Sequence, residues 1–246
     1  MFECVGIANI DLRIKVKRKM AAKKKVTYKK RKDRKYLVGR TYTDYCAYVE
    51  SEQITNILEM DTVYNDVSNG PFIQTFKFVK YGLLFAIYHD TKTAADMVEG
   101  LDILESILGK DLFEREACLT LTDRGSEFTD AEHMEMRKDG TRRTRLYYCD
   151  PMQSGQKGSL ENMHRELRYI LPNQVNLRSI GLVDQASLNI AISQINSGAK
   201  EQLNGKSPFE LCEFMCEELA EKLYAFGLKK ITKDEVELRP SVLKHK

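Results

Sequence analysis

The stretch Ala117-Cys-Leu-Thr-Leu-Thr-Asp123-Arg-Gly-Ser-Glu-Phe128 reads as a strand that runs into an acid, with a glycine turn directly after it. Ile57-Leu-Glu-Met-Asp61-Thr-Val-Tyr64 has the same form. A third stretch, Gly158-Ser-Leu-Glu161-Asn-Met-His-Arg-Glu-Leu-Arg-Tyr-Ile-Leu-Pro172, reads as one helix. It ends before its proline, which biases the preceding residue away from helical angles. Leu160, Met163, Leu167, Ile170 and Leu171 recur at helical spacing and predict a core-facing stripe. Glu161, His164, Arg165 and Arg168 line the neighbouring stripe. Taken alone, that helix is an ordinary amphipathic one with a Glu161–Arg165 pair at i, i+4. The two strands add a further reading: two aspartates on neighbouring strands and a glutamate on a following helix can converge on a divalent cation. The acids stand 62 and 38 positions apart.

The chain around them reads as alternating elements. Strands are expected at 57–64, 72–79 and 83–89, separated by turns at Ser68-Asn-Gly-Pro71 and Lys80-Tyr-Gly82. A helix opens near Thr91 and runs to Leu108, with Met97, Leu101, Leu104 and Leu108 inward. A helical or irregular piece is expected over 129–137, a strand over 145–149 and a helix from Asp184 to Asn196. After Ser207-Pro208 one long helix to about Phe226 carries Phe209, Leu211, Phe214, Met215, Leu219 and Leu223, placed to cap the core or meet a second copy. The last twenty residues read as a small strand-bearing or disordered tail. Hairpin-linked strands followed by alternating helix and strand give a mixed α/β sheet.

Composition narrows the class. The longest apolar runs, such as Tyr81–Tyr88, are far too short to span a bilayer, and the start lacks a signal-peptide pattern. Six scattered cysteines without a Cys-x-x-Cys pair, and four histidines without ligand spacing, argue for reduced thiols and against zinc. The net charge of +3 hides an asymmetry: residues 12–40 hold fifteen Lys or Arg against one Asp33, so the remainder carries −11. A basic arm that includes Lys29, Lys30, Arg31 and Lys32, expected to have little fixed structure, points to a polyanion, with nucleic acid first. A solvated linker is the plainer alternative.

Several motifs agree in order and spacing with one known family. Glu59-Met-Asp61-Thr-Val, Leu121-Thr-Asp123-Arg-Gly-Ser-Glu-Phe128, Tyr148-Cys-Asp-Pro-Met152, Lys157-Gly-Ser-Leu-Glu161-Asn-Met-His164, Arg168-Tyr-Ile-Leu-Pro172 and Leu203-Asn-Gly-Lys-Ser-Pro208-Phe-Glu210 resemble the DDE transposases of bacterial insertion sequences, specifically the insertion-sequence-thirty group, over roughly residues 40–212. The resemblance implies a ribonuclease H-like mixed sheet of about five strands with helices on both faces. It further implies a basic arm and linker at 1–50, an integrase-type core at 51–212 and a C-terminal helix and tail at 213–246. Two departures stand out: Arg124 occupies a position where many relatives have Asn, and Ser197-Gly-Ala-Lys200 replaces an Arg-Pro-Arg segment. Arg124 either binds phosphate or marks drift. About ten residues precede the basic arm, so the expectation is a chain lacking the helix-turn-helix region such relatives carry.

The resemblance implies Asp61, Asp123 and Glu161 as catalytic residues and metal ligands, holding two Mg²⁺ or Mn²⁺ ions, because such hard cations take oxygen donors. It implies double-stranded DNA as partner, at element ends and target, through Arg168, His164, Arg124 and Lys157 as well as the arm. A homodimer, no membrane association and a cytoplasmic, nucleoid-associated location in a bacterium complete the expectation. The activity implied is metal-dependent cleavage and strand transfer of DNA. A nuclease of the same fold, or a shortened DNA-binding remnant, are the alternatives. Asp66, Asp90 and Asp150 read as turn residues, and Glu127 as a helix-start acid rather than a ligand.

Overall fold

The computed structural model describes residues 35–244. The basic residues Lys29, Lys30, Arg31 and Lys32 therefore lie outside the described residues. A mixed five-stranded sheet forms the centre: β1 Ile57–Val63, β2 Phe72–Phe78, β3 Leu83–His89, β4 Leu119–Thr122 and β5 Arg145–Tyr148. Its order is β3-β2-β1-β4-β5. β1, β2 and β3 pair antiparallel as a meander, whereas β4 and β5 add parallel on the other side of β1. This is the ribonuclease H-like layout expected from the sequence, with β1 at the middle.

The helices are α1 Tyr42–Glu52, α2 Ala94–Leu108, α3 Lys110–Glu116, α4 Ala131–Glu135, α5 Gly158–Ile170, α6 Gln185–Ser197, α7 Pro208–Met215 and α8 Glu217–Ala225. They cover both faces. On one face Met97, Leu101 and Leu104 of α2 are buried in the main core, which also holds Leu58, Met60 and Phe76. On the other, α5 buries Leu160, Met163, Leu167 and Ile170, the stripe that its spacing predicts. On that same face α1 lays Tyr45 and Tyr48 against Tyr147 of β5, with ring centroids 5.9 and 6.0 Å apart.

Edge strand β3 is closed by a helix instead of a strand. Asn196 of α6 accepts from Leu84 N (2.9 Å) and donates to Leu84 O (2.6 Å). Gln185 accepts from Tyr88 N (2.8 Å) and donates to Ala86 O (2.9 Å). The two amides satisfy backbone groups that would otherwise template another strand.

Three stretches depart from the sequence reading. Residues 42–52 form α1, where the sequence reading has the end of the linker and the start of the core; the Thr41/Asp44 capping box, with Thr41 N donating to Asp44 at 2.8 Å, starts it. Residues 35–40 belong to the folded body, not to the arm: Leu37 is buried, Tyr36 meets Tyr148 at 5.0 Å, and Arg40 pairs with Glu135 at 2.7 Å. The long C-terminal helix is two helices, because Cys216 leaves the helical region at φ −155°, ψ 76°. That turn brings Leu219 and Leu223 inward and leaves Phe214 exposed, at 81%. The segment after it makes 3₁₀ turns, with Val242 and Leu243 buried, and no strand among the described residues.

The packing of α2 on β2 depends on one glycine. Buried Gln74 donates to Met97 O (3.0 Å), and its Oε1 lies 3.0 Å from His89 Nε2. A Cβ on Gly100 would stand 1.8 Å from that Oε1. Gly100→Ala gains about 1 kcal/mol of helix propensity. Forcing Gln74 aside costs about 1–3 kcal/mol and strands buried polar atoms. A net loss of stability in urea denaturation is expected; an unchanged midpoint would contradict the packing described.

Candidate active site

Strand pairing sets the first two acids. β1 and β4 run parallel with Glu59 beside Leu121, and the same register continued two residues places Asp61 beside Asp123. Neighbouring strands lie about 4.8 Å apart, so two carboxylates are held side by side on one face. Thr122 Oγ1 donates to Met60 O at 3.1 Å and extends the contact past the last ladder bond. Asp123 is pushed above the usual carboxylate range by burial and by the charge of Asp61, with Lys157 acting in the opposite direction.

Lys157 supplies the opposing charge. Its Nζ lies 2.9 Å from Asp61 Oδ2 and 3.3 Å from Met60 O, and the residue is buried. Burial alone would lower its pKa; Asp61 and Asp123 outweigh that, so it is raised. Lys157 is thus an internal counter-ion, not the open DNA contact expected of it. Its ammonium serves the pair as a cation, and the hard oxygen donors around it are of the type a divalent ion accepts.

Glu161 stands in the first turn of α5 and is exposed. It does not close on the aspartates: among the described residues, the one set of three His, Cys, Asp or Glu side chains with ligand atoms all within 4.8 Å is His89, Asp96 and Glu99. That set sits at the start of α2, where Asp96 forms the capping box with Thr93 and His89 bonds Gln74. The strands fix Asp61 and Asp123, but nothing in the ladder fixes a side chain on the helix.

The other residues singled out in the sequence are held within the protein. His164 Nε2 is 2.9 Å from Thr75 Oγ1, and Thr75 in turn donates to Asp61 O at 3.2 Å. Arg168 reaches Asn65 Oδ1 (2.5 Å) and Tyr64 O (3.1 Å), tying the end of α5 to the residues after β1. Arg124 bonds Asp150 at 2.8 Å, while its Nε is buried without a partner. Asp150 is thereby a partner of the site's arginine, and its own backbone N–H donates to Gln156 at 2.7 Å.

Sequence reasoning missed Glu59 and Lys77, and it read Glu127 as a helix-start acid, which it is, without its buried ion pair. Glu59 and Lys77 are buried, face α5 from β1 and β2, and contact its first turn. Glu127 is buried too and pairs with Lys92 at 2.9 Å. A Cβ on Gly125 would come within 2.8 Å of Glu127 Oε2 and 2.9 Å of Asp123 Oδ1, so the glycine lets both carboxylates close over the turn. The period-two alternation of β1, which puts Glu59 on the same face as Asp61, is the one signal available for Glu59.

No family model matches the chain, and no curated protein matches it. Among solved structures, the chain is similar to the catalytic core domain of BIV integrase, at 19% identity and TM-score 0.46 over 70% of this chain and 99% of that one. It is similar to a chain of the simian T-cell lymphotropic virus intasome in complex with PP2A regulatory subunit B56 gamma, at 15% and 0.49, over 63% of this chain and 53% of that one. A third is the HTLV-2 integrase catalytic core domain in complex with magnesium (trimeric form), at 15% and 0.45, over 63% and 95%. Strand order and register define the fold independently of these similarities.

His164 provides a test of the site's burial. Burial lowers its pKa from 6.5 to about 4. The unfolded chain takes up a proton near pH 6.5 while the folded one does not until about pH 4, so stability falls as pH drops through that window and levels off below it. The full shift corresponds to about 3–4 kcal/mol. Urea titrations at pH 7.5 and 4.5 should show His164→Asn losing less stability than the wild type; equal losses would place His164 in solvent.

Proposed function

We propose that this chain is the catalytic core of a DNA strand-transferring enzyme of the transposase and integrase class, acting in the transposition of a bacterial insertion sequence. The observation that carries this reading is the placement of Asp61 and Asp123 side by side on adjacent parallel strands, with Glu161 in the first turn of the helix packed over them. The motif resemblance to the insertion-sequence-thirty group supports the finer assignment.

Asp61, Asp123 and Glu161 would hold Mg²⁺ or Mn²⁺. Two such ions, when bound, supply Lewis-acid activation of an attacking hydroxyl and neutralise charge on the leaving oxygen. The protein's own part is electrostatic and positional. Lys157 keeps the aspartate pair from self-repulsion in their half-buried setting. His164, uncharged at neutral pH, adds no competing cation beside them. Arg124, with one guanidinium N–H unpaired, is placed to receive a phosphate oxygen near Asp123. No covalent protein intermediate is needed, because water and a DNA 3′-hydroxyl attack with the same geometry. The basic arm adds phosphate contacts, which position DNA without reading its sequence. The working assembly in this reading is a homodimer on duplex DNA at the nucleoid.

Asp61→Asn and Asp123→Asn should each lower Mg²⁺- or Mn²⁺-dependent cleavage of labelled duplex DNA by about two orders of magnitude or more and keep DNA binding; the loss of an outer ligand partner alone reaches about 10–100-fold. A variant that cleaves normally removes its residue from the site. Cleavage without strand transfer in the wild type would make the chain a nuclease of this fold.

The arm has its own test. Deleting residues 12–34, a cut that spares Tyr36, Leu37 and Arg40, should flatten the salt dependence of duplex binding by about 0.9 in log–log slope per lost phosphate contact. An unchanged slope would show that the arm does not touch DNA.

A further inference from the structure

α5 has a peculiarity at its start. Its N-cap residue, Lys157, provides no side-chain cap hydrogen bond. The first N–H groups of a helix need acceptors, and a negative charge there is favourable. The acceptor comes from the sheet. Glu59 Oε2 accepts from Leu160 N at 3.0 Å and from Ser159 Oγ at 2.8 Å. Lys77 is the register partner of Glu59 across β1 and β2, and its Nζ donates to Ser159 O at 2.6 Å. The strand pair thus grips one N–H, one hydroxyl and one carbonyl of the two residues just before Glu161. Both gripping side chains are nine-tenths buried or more. Glu59 also sits two residues before Asp61 on the same face of β1.

Taken with the reading of Asp61, Asp123 and Glu161 as metal ligands, on which it rests, the geometry points to Glu59 and Lys77 as positioning residues that register the Glu161 turn of α5 against the aspartate pair. Neither residue touches the reacting atoms. Leu160 N and Ser159 O are backbone groups within two residues of Glu161, so the clamp sets the backbone from which the Glu161 carboxylate swings. The hydrophobic stripe of α5 cannot do this alone. Leu160, Met163, Leu167 and Ile170 hold the helix down on the sheet, but apolar contact is non-directional and leaves sliding and rotation weakly determined. Charged hydrogen bonds to named backbone atoms are directional and fix the register.

The test is a double-mutant cycle on the full chain, read by Mn²⁺ binding with electron paramagnetic resonance, with thermal melting recorded for every variant. Glu161→Gln should weaken Mn²⁺ binding about tenfold or more, and Glu59→Ala by about tenfold, the range for residues that orient a ligand. In the Glu161→Gln background, Glu59→Ala should weaken binding less than about twofold, because the residue it positions is already gone. Glu59→Gln, which keeps an acceptor oxygen, should stay close to wild type, and Lys77→Met should follow Glu59→Ala in both backgrounds. If Glu59→Ala does not fold, the Lys77→Met cycle decides alone. Independent, multiplicative losses in the cycle would overturn the clamp and leave the metal site standing. Wild-type protein that binds no Mn²⁺, or binding indifferent to Asp61→Asn, would overturn the functional reading and the clamp with it.

Discussion

The contact on which the site depends is the seam between β1 and α5. It is polar at both ends and apolar in the middle. At the start of the helix, Glu59, Lys77 and Lys157 bond residues of one element to backbone or carboxylate of the other. At its end, Arg168 reaches Asn65 and Tyr64, and Asn65 Nδ2 donates to Pro172 O and Val175 O, each at 2.8 Å. Between them lie the buried leucines, Met163 and Ile170. Apolar area supplies most of the attraction, at roughly 25 cal/mol per Å², and the polar ends specify the register. Loss of either end would leave a helix still attached but free to shift relative to Asp61.

The seam concentrates charge where it is costly to place it. Glu59 is pushed above its ordinary pKa by burial, which Ser159, Lys77 and Leu160 only partly offset. Lys77 is pulled down to about 8 by the same desolvation, with Glu59 acting against it. Asp123 is raised and His164 lowered, each chiefly by burial. Opposite charges face each other across elements: Glu59 and Lys77 are register partners between strands, and Asp61 pairs with Lys157 between strand and helix start. A buried pair of this kind adds little net stability over an apolar pair, but removing one partner leaves an uncompensated charge and is strongly destabilising. Polar groups in such a place are therefore better explained by geometry they enforce than by stability they add.

Much of this fold is legible in the sequence, because its signals are local. Alternation and turn residues mark β1, β2 and β3, and Asp123 with its glycine turn marks where β4 stops, whereas β1 runs two residues past Asp61. The Leu160–Ile170 stripe marks α5 and its buried face. What escapes has two causes. The α1 helix escapes because its inward residues, Tyr42, Tyr45, Tyr48 and Val49, form a small second cluster with Leu119, Leu121 and Tyr147, and only the Thr41/Asp44 box announces it. The break at Cys216 escapes because an apolar pattern continues through it. Glu59, Lys77 and Lys157 escape for a different reason: their partners lie about a hundred positions away or face them only once the strands are paired. Basic residues near an acid motif read naturally as DNA contacts, yet Lys157 and Arg168 turn inward because buried backbone and carboxylate oxygens need donors.

The two kinds of element also divide the labour among the three acids. Asp61 lies within β1, held by its antiparallel ladder to β2, and Asp123 stands directly after β4, two residues beyond the last parallel pair, Glu59 with Leu121. Their separation is a property of the sheet, and no side-chain substitution nearby can change it much. Glu161 takes its position from a helix whose place is set by side chains reaching across from β1 and β2. Its carboxylate is exposed and stands apart from the other two, while Lys157, four residues earlier, occupies the charge position beside Asp61. The ammonium beside Asp61 and the exposed carboxylate of Glu161 thus belong to the same helix start. Any shift of that turn would move both side chains together relative to the strands, which form the fixed frame.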